Sequence, residues 1–379
     1  MANNNENKIL NVPHLRFPEF SGEWKKCKLG DLCNVLMCKR ILVSQTNTED
    51  GVPFYKIGTI GSTPDAYISK ELFDDYKVKY NYPRKGEVMI TCAGTVGKCV
   101  VYDGEDAYFQ DSNIVWIDNP TQYISNGFLF HLLSKVDWRK LNSTTIIRIY
   151  NDDLRNLKMS YPRKEEQQKI SHLLSLLDER IATQNKIIED LKKLKSAISL
   201  KMLHSDSWEQ FKIQDIASIG RGRVISSVEI SQQENPLYPV YSSQTSNDGI
   251  MGYLDDFMFE GEYISWTTDG ANAGTVFYRN GKFNCTNVCG LLKLKKGFDA
   301  HFVSLVLAEA TRMYVSTNLA NPKLMNNTMG NIQIRLPKLE EQKRISVVFR
   351  KLHGLLETHN SLIIKYSKQK QYLLSQMFI

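Results

Sequence analysis

The hydrophobic pattern of this chain is dominated by two long helical stripes, between residues 162 and 203 and between residues 337 and 378. In each stretch the apolar residues recur in steps of four and three, which places them on one face of a helix, as in a coiled coil. A shift of 175 positions aligns the two stretches without a gap. The predicted helix–helix seam consists of Ile170, Leu174, Leu177, Ile181, Ile188, Leu191, Ile198, Met202, Ile345, Phe349, Leu352, Leu356, Ile363, Tyr366, Leu373 and Met377.

Polar residues interrupt both stripes at the same two places. Gln184 and Lys195 break the first stripe, and His359 and Lys370 break the second. Each stretch opens with a proline followed by a Glu-Glu-Gln triplet. Proline and acidic residues suit the first turn of a helix, and a shared polar position in a seam fixes the alignment of partner helices. We therefore predict two long helices that pack on each other, antiparallel if a pseudo-twofold axis relates the two halves.

The stretches between the helices repeat as well. Trp24 and Trp208 each open a Trp, Lys, aliphatic, Asp, aliphatic frame, and the string Ala-Gly-Thr-Val occurs at residues 93–96 and 273–276. Strand-like runs rich in β-branched and aromatic residues follow each string, and then one helical stretch, Asn126–Leu141 or Ala300–Val315. An isolated coiled-coil hairpin would show no such repeats. The predicted fold is mixed α+β: two pseudo-twofold-related globular domains (1–160 and 204–335) separated by two antiparallel coiled-coil helices (161–203 and 336–379).

Charge is distributed in a way that weakens a simple argument for nucleic-acid binding. The chain has 48 Lys and Arg residues against 41 Asp and Glu residues, a net charge of +7. The two repeated helical stretches carry +3 and +5, so the remaining residues total −1. Because a basic footprint is typical of nucleic-acid binding, local clusters in the globular parts would have to supply it.

The sequence predicts a cytoplasmic protein without a metal site. The seven cysteines are odd in number and show no CxxC spacing, which indicates reduced thiols. Cys285, Cys289 and His301 do not have the spacing of a zinc site. The first ten residues are polar, and no apolar run has membrane-spanning length.

Catalytic motifs are absent from the sequence. The run that ends in Gly97-Lys98 is similar to a phosphate-binding P-loop, but Cys92 replaces its first glycine and Cys99 replaces its Ser or Thr. No HExxH, GxSxG or strand-linked GxGxxG motif occurs. We predict no catalytic residues, although a site assembled from distant residues stays an alternative.

Polar, aromatic and glycine-rich loops are the more promising feature. Their Arg, Lys, Asn, Gln and Ser side chains are the groups that hydrogen-bond base edges and phosphates, although ordinary surface turns have a similar composition. The helices of the two halves are alike, whereas these loops differ at equivalent places. The candidate DNA-binding residues are Lys39, Arg40, Thr59, Ser62, Thr63, Lys98, Arg148, Tyr150, Asn151, Arg221, Arg223, Ser243, Gln244, Thr245, Asp269, Asn272, Asn321, Lys323 and Asn326.

Three stretches carry a resemblance to a known family. Residues 16–25, with the run Arg-Phe-Pro-Glu-Phe and then Gly-Glu-Trp-Lys, are similar to the common opening of the specificity subunits of type I restriction–modification enzymes. Residues 161–170 and 336–345 resemble the start of the conserved helices of that family. The resemblance covers essentially the whole chain.

The resemblance implies a division of labour. Each globular domain would be a target recognition domain that reads one half of a bipartite DNA target, and the paired helices would set the spacing and dock two methyltransferase subunits. Those partners would carry S-adenosylmethionine and methylate adenine N6, and restriction subunits would use ATP and Mg to cleave DNA; no cofactor is expected on this chain. The alternative from the residues alone is a coiled-coil adaptor that binds proteins through its two lobes.

Overall fold

The chain forms two compact units, each built from one lobe and parts of both long helices. The structure is a computed structural model that describes residues 10–140, 148–316 and 321–379. Unit 1 comprises Met1–Asn185 and Ser361–Ile379, and unit 2 comprises Lys186–Asn360. The four-segment division drawn from the sequence stays a prediction, because it separates the helices from the lobes on sequence similarity rather than on compactness.

The first half of the chain supplies the lobe of unit 1. Its helices are α1 (Lys70–Lys79), α2 (Asn126–Lys135), α3 (Asn151–Arg155) and the long α4 (Lys164–Met202). Its strands are β1 (Lys25–Lys28), β2 (Asn34–Leu36), β3 (Thr46–Asn47), β4 (Val52–Tyr55), β5 (Tyr67–Ile68), β6 (Val88–Thr91), β7 (Cys99–Val101), β8 (Tyr108–Phe109), β9 (Ile114–Asp118) and β10 (Lys158–Tyr161). The helical stretch predicted to end at Leu141 ends at Lys135, and Leu141 itself lies outside the described residues.

The second half of the chain supplies the lobe of unit 2. Its helices are α5 (Ile213–Ile216), α6 (Ser227–Ser231), α7 (Ala300–Ala310), α8 (Asn326–Asn331) and the long α9 (Leu339–Met377). Its strands are β11 (Glu209–Lys212), β12 (Ala217–Arg221), β13 (Tyr238–Tyr241), β14 (Ile250–Leu254), β15 (Phe259–Glu260), β16 (Tyr263–Thr267), β17 (Val276–Arg279), β18 (Lys282–Cys285), β19 (Cys289–Leu294) and β20 (Gln333–Leu336).

The two lobes have the same sheet topology. In unit 1 an antiparallel sheet has the order β2-β9-β6-β7, and in unit 2 the order β12-β19-β16-β17. A second sheet in each lobe contains one parallel pair, β4 with β8 and β13 with β18, and a two-stranded sheet joins β1 to β10 and β11 to β20. These second sheets share three strands and differ in the position of the fourth: β3 extends the edge at β5 in unit 1, whereas β15 extends the opposite edge, at β18, in unit 2. The predicted duplication of α+β domains is therefore confirmed.

Within each unit the long helices pack antiparallel. In unit 1, Leu373 and Met377 share a core cluster with Ile170 and Leu174, so the end of α9 lies on the start of α4. Polar contacts continue this pairing, because Lys370 is hydrogen-bonded to Asp178 and the Arg180 guanidinium lies 5.7 Å from the Tyr366 ring centroid. In unit 2, Ile198 and Met202 pack against the cluster that contains Ile345 and Phe349. Each of the sixteen predicted seam residues is buried or half-buried.

The glutamine of the Glu-Glu-Gln triplet joins each long helix to its lobe. The Gln167 side chain is fully buried, and its Oε1 accepts a hydrogen bond from the backbone N–H of Ser125, the N-cap residue of α2 (2.6 Å). The Gln342 Oε1 accepts in the same way from Asp299, the N-cap residue of α7 (2.9 Å). Both amides also donate to the carbonyl of the proline that precedes the helix. The repeated glutamine therefore fixes the angle at which the helix leaves the lobe.

Two glycines, Gly354 and Gly297, have open space around them, so an alanine at either position would change stability through the backbone and not through packing. A Cβ at Gly354, inside α9, would meet nothing within 4 Å, and its backbone is helical. We expect Gly354→Ala to raise the free energy of unfolding by about 1 kcal/mol, because alanine loses less backbone entropy in a helix. Gly297→Ala is the control: its surroundings are equally open, but its φ of +103° disfavours any side chain, so stability should fall. Urea denaturation would show shifts of opposite sign, and equal shifts would contradict the argument.

All seven cysteines are free thiols. Burial raises the pKa of four of them to about 12, so these thiols stay protonated at neutral pH: Cys33, Cys38, Cys92 and Cys99. Among the described residues no group of three or more His, Cys, Asp or Glu side chains could hold a metal ion, and none of the helices described is long and apolar enough to cross a membrane.

Candidate nucleic-acid interface

A set of main-chain hydrogen bonds recurs in both lobes and brings the predicted loops together. Each bond of unit 1 has a counterpart in unit 2 between residues at equivalent places in the shared topology. The four bonds of unit 1 run from Gln110 N to Tyr55 O, from Cys92 N to Asn113 O, from Ile149 N to Cys92 O and from Gly97 N to Thr91 O. Their counterparts in unit 2, in the same order, run from Thr286 N to Tyr241 O, from Thr268 N to Val288 O, from Leu324 N to Thr268 O and from Gly274 N to Thr267 O. All eight distances are 2.7–3.0 Å. We call this set the shared frame.

In unit 1 the shared frame gathers five loops into one surface. We define the unit 1 loop surface as residues 39–40, 56–63, 91–98, 110–113 and 148–151. Side chains reinforce it: the Thr95 hydroxyl donates to the Ile57 carbonyl (3.1 Å), and the Arg148 guanidinium donates to the Ser112 carbonyl (3.0 Å). Loops that are far apart in the sequence therefore present one continuous set of polar groups.

The unit 1 loop surface is basic. It contains five Lys or Arg residues and one acidic residue, Asp111, which forms an ion pair with Arg40 (2.9 Å). A cleft of about 390 Å³ opens here, lined in part by Arg40, Lys56, Asp111 and Ser112. The local surplus of positive charge, absent from the lobe's overall composition, suits a polyanionic partner.

In unit 2 the equivalent loops form a surface of different chemistry. We define the unit 2 loop surface as residues 221–223, 242–250, 266–275, 286–288 and 321–326. Its loops are joined by the bond from Arg221 Nε to Asn326 Oδ1 (3.0 Å), by the bridge between Asp269 and Lys323, and by the bond from Gly270 N–H to the Pro322 carbonyl (3.0 Å). It holds three basic and two acidic residues and is rich in Ser, Thr and Asn.

A buried arginine, Arg279, contacts the 242–250 loop of the unit 2 loop surface. The Arg279 side chain is 2% exposed, and its guanidinium lies 3.6 Å from the Tyr241 ring centroid and 4.4 Å from that of Phe277. It donates to Asp248 (2.8 Å) and to the Ser265 hydroxyl (3.0 Å). Burial raises the pKa of Tyr241, and the positive charge of Arg279 opposes that shift. The arginine therefore fixes the 242–250 loop on the sheet.

Some candidate residues of unit 1 have partners within the loops, some are exposed to solvent, and Ser62 and Lys98 are both. The hydroxyls of Thr59 and Ser62 make bonds within their own turn, and the Lys98 ammonium donates to the Ile60 carbonyl. The ammonium of Lys39 lies 5.3 Å from the Tyr80 ring centroid, and Asn151 is the first residue of α3. The exposed candidates of this surface are Lys39, Arg40, Ser62, Thr63, Lys98 and Tyr150.

The same holds in unit 2, where Arg223 and Asn272 have partners and are also exposed. Arg223 is paired with Glu229, and the Gln244 amide donates to the Ile250 carbonyl, so both have structural partners. Asn272 donates to the Ser243 carbonyl across two loops (3.5 Å), while Lys323 and Asp269 are half-buried. The exposed candidates are Arg223, Thr245, Asn272 and Asn321.

Two features of these surfaces were not predicted from the sequence. The 110–113 loop belongs to the unit 1 loop surface, and the polar run Asp-Ser-Asn ahead of β9 was its sequence signal. Ser112 there, and Asn247 and Asp248 in unit 2, have φ values between +50° and +55°, in the left-handed region that few residues other than Gly, Asn and Asp adopt. Arg279 had no local signal, because its stacking partner Tyr241 lies 38 residues away.

Comparison with known proteins identifies the same duplication. The family described as "Type I restriction modification DNA specificity domain" matches the chain twice, at residues 21–193 and 205–365. A crystal structure of the S subunit of a type I restriction–modification system from M. genitalium has the same fold, with a TM-score of 0.72 and 17% identity, over 97% of this chain and 99% of that one.

Curated relatives match parts of the chain at higher identity. A Haemophilus influenzae protein named as a type I restriction enzyme specificity subunit is 46% identical over 184 residues, which is 48% of this chain and 45% of that protein, so less than half of its length is matched. A Mycoplasma pneumoniae protein named as a type I specificity subunit is 34% identical over 253 residues, 62% of this chain and 92% of that protein. Since the two family matches together cover most of the sequence, the chain belongs to the type I restriction–modification DNA specificity family.

Proposed function

We propose that this chain is the non-catalytic DNA specificity subunit of a type I restriction–modification complex. The unit 1 and unit 2 loop surfaces each read one half of a bipartite target in double-stranded DNA. The observation that carries the proposal is the shared frame: its main-chain bonds are the same in both lobes, whereas the exposed side chains that it presents differ. One scaffold with two sets of side chains is what the reading of two different half-sites requires.

The long helices serve as the spacer and as the docking region for two methyltransferase subunits. Two near-equivalent helical surfaces on one chain suit two copies of one partner. S-adenosylmethionine, ATP and Mg belong to the methyltransferase and restriction subunits of the full complex. The division into recognition domains 1–160 and 204–335 and spacer helices 161–203 and 336–379 is part of this proposal, and the cytoplasmic location stays a prediction.

The first experiment maps N6-methyladenine at base resolution in cells with and without this gene. The proposal expects one bipartite motif that is methylated only when the gene is present. Gel shifts with the mapped target, the purified chain and its methyltransferase partner then show whether both halves are needed for binding. An adaptor that binds only proteins through its lobes would leave the methylation pattern unchanged and would show no sequence preference.

A charge deletion on the unit 1 loop surface tests whether it contacts phosphates. We expect Lys98→Ala to weaken binding severalfold for every DNA sequence and to reduce the slope of log affinity against log salt by about 1. Lys158→Ala removes the same charge from an exposed position on β10, outside that surface, and should change neither quantity. Equal salt slopes for the Lys98 variant and the unmodified chain would contradict a phosphate contact.

A further inference from the structure

In unit 1 a groove beside the start of α4 is filled by the chain's own residues 11–20. The Arg16 guanidinium makes two hydrogen bonds of 2.7 Å to the Glu166 carboxylate, whose side chain is 2% exposed. The backbone N–H of Leu15 donates to the Gln376 carbonyl at the end of α9 (2.9 Å). The arginine and the helix ends thus hold this segment, which turns at residues 17–20, in a defined register.

Two further contacts complete this groove. Lys169 is paired with Glu19, and its ammonium also lies 4.7 Å from the Phe17 ring centroid. The Trp24 indole N–H donates to Glu166 (3.3 Å), so the tryptophan forms a wall beside the buried ion pair. The segment is therefore recognised by three chemical features in order: an arginine, an aromatic ring and a carboxylate.

Unit 2 has residues equivalent to those that contact residues 11–20 in unit 1. The shift of 175 positions aligns Glu166 with Glu341, Lys169 with Arg344, and Gln376 with Lys201. Trp208 is the counterpart of Trp24 in the repeated frame that opens each lobe. The two tryptophans even pack alike, edge-on to a phenylalanine of the lobe's internal helix at 5.7 and 5.8 Å. These residues line a groove of about 1080 Å³. We define the unit 2 groove by Lys201, Trp208, Phe298, Glu341, Arg344 and Val348.

The unit 2 groove holds no counterpart of residues 11–20 among the described residues. The chain passes from the end of α4 at Met202 to Trp208 in a short linker that itself lines the groove. The Glu341 carboxylate is exposed and has no ion pair within the described part of the chain, whereas the equivalent Glu166 is buried by its arginine. Phe298 and Val348 add apolar surface beside it.

We propose that the unit 2 groove is a docking site for a segment of a partner protein that presents an arginine, an aromatic side chain and a carboxylate in that order. The arginine would pair with Glu341, the aromatic ring would lie beside Arg344, and the carboxylate would pair with Arg344, as the corresponding groups do with Glu166 and Lys169. Charge complementarity and the filled groove of unit 1 argue for this chemistry. The site is separate from the loop surfaces and does not depend on DNA reading.

A partner protein fits this groove better than a second copy of this chain. The only arginine-bearing segment that the structure shows in such a groove is residues 11–20, and the Arg16 of each copy is already bound to its own Glu166. A second copy would have to break that ion pair before it could form an identical one elsewhere. A partner segment would not incur this cost.

The test uses the full chain and a fluorescent peptide with the sequence of residues 11–20, NVPHLRFPEF, as the probe. We expect saturable binding that Glu341→Lys weakens at least about tenfold, since a charge-assisted bidentate pair is lost. Glu340→Lys is the matched control, because it makes the same charge change at the neighbouring exposed position outside the groove. A peptide in which the arginine is replaced by glutamate should regain affinity for the Glu341→Lys variant.

Location and oligomeric state complete the test. A photoreactive group at the peptide's first phenylalanine should crosslink to residues 201–211 or 336–348 of unit 2. Binding that is absent, equally weakened by both variants, or crosslinked only to unit 1 would overturn the proposal. Self-association of the unmodified chain that Glu341→Lys abolishes, seen by sedimentation, would also overturn it in favour of a second copy. DNA binding by the Glu341→Lys variant should equal that of the unmodified chain.

Discussion

Gln167→Ala is expected to lower the free energy of unfolding of unit 1 by about 3 kcal/mol. The Gln167 amide is fully buried and makes three hydrogen bonds, to the N–H of Ser125 (2.6 Å) and to the carbonyls of Tyr123 and Pro162 (2.9 Å each). Alanine would leave these backbone groups buried and unpaired, because the methyl group can neither donate nor accept. Urea unfolding followed by hydrogen exchange of α2 measures the loss and its location.

The neighbouring glutamine provides the control for this prediction. Gln168 is exposed on the same turn of α4, so Gln168→Ala should change stability by no more than about 0.5 kcal/mol. Gln342→Ala should destabilise unit 2 in the same way as Gln167→Ala destabilises unit 1, with slightly smaller cost, because its amide makes two of these bonds. A similar cost for Gln167→Ala and Gln168→Ala would show that the buried amide does not hold the helix to the lobe.

Arg279→Lys is expected to weaken the discrimination of the half-site that the proposed function assigns to unit 2. Lysine keeps the charge but cannot stack between Tyr241 and Phe277 or hold Asp248 and Ser265 with one planar group. The 242–250 loop would then lose its fixed position. Targets with either half scrambled should be compared by gel shift, and the affinity ratio for the unit 2 half should fall at least about tenfold.

The other half of the target is the internal standard in that experiment. Its affinity ratio should not change in the Arg279→Lys variant, because the unit 1 loop surface has its own shared frame. Arg335→Lys, an exposed substitution on β20 outside the unit 2 loop surface, should leave both ratios unchanged. Equal loss at both halves would mean that the substitution disturbs the chain generally rather than one reading surface.

The duplication of the fold could be predicted from the sequence because the same local residue patterns occur twice. The seam residues and the Glu-Glu-Gln triplets recur at one constant shift, and the antiparallel packing of Leu373 and Met377 on Ile170 follows from a stripe that a single helix cannot bury. The β-branched and aromatic runs at 113–117 and 291–294 likewise predict strands, and the structure has strands at 114–118 and 289–294.

The parts that could not be predicted depend on contacts between distant residues. The polar composition of residues 150–156 and 321–331 predicts linkers, yet these segments contain α3 and α8. Their Asn and Asp residues are common in turns, but Asp153 accepts a hydrogen bond from the Tyr150 N–H (2.8 Å) and caps the helix. The parallel pairing of β4 with β8 joins residues more than fifty positions apart, and short strands of this kind carry little local signal.

Unit 1 is built from the two ends of the sequence, and this has a consequence for folding during translation. Its core includes Leu373, Met377 and Phe378, which pack with Trp24 and Phe128, whereas unit 2 is a single uninterrupted stretch from Lys186 to Asn360. On the ribosome, the core of the lobe that is translated first is therefore completed only when residues 373–378 have been made, whereas all residues of unit 2 have been made by Asn360. The two cores are thus completed in the reverse of the usual N-to-C order.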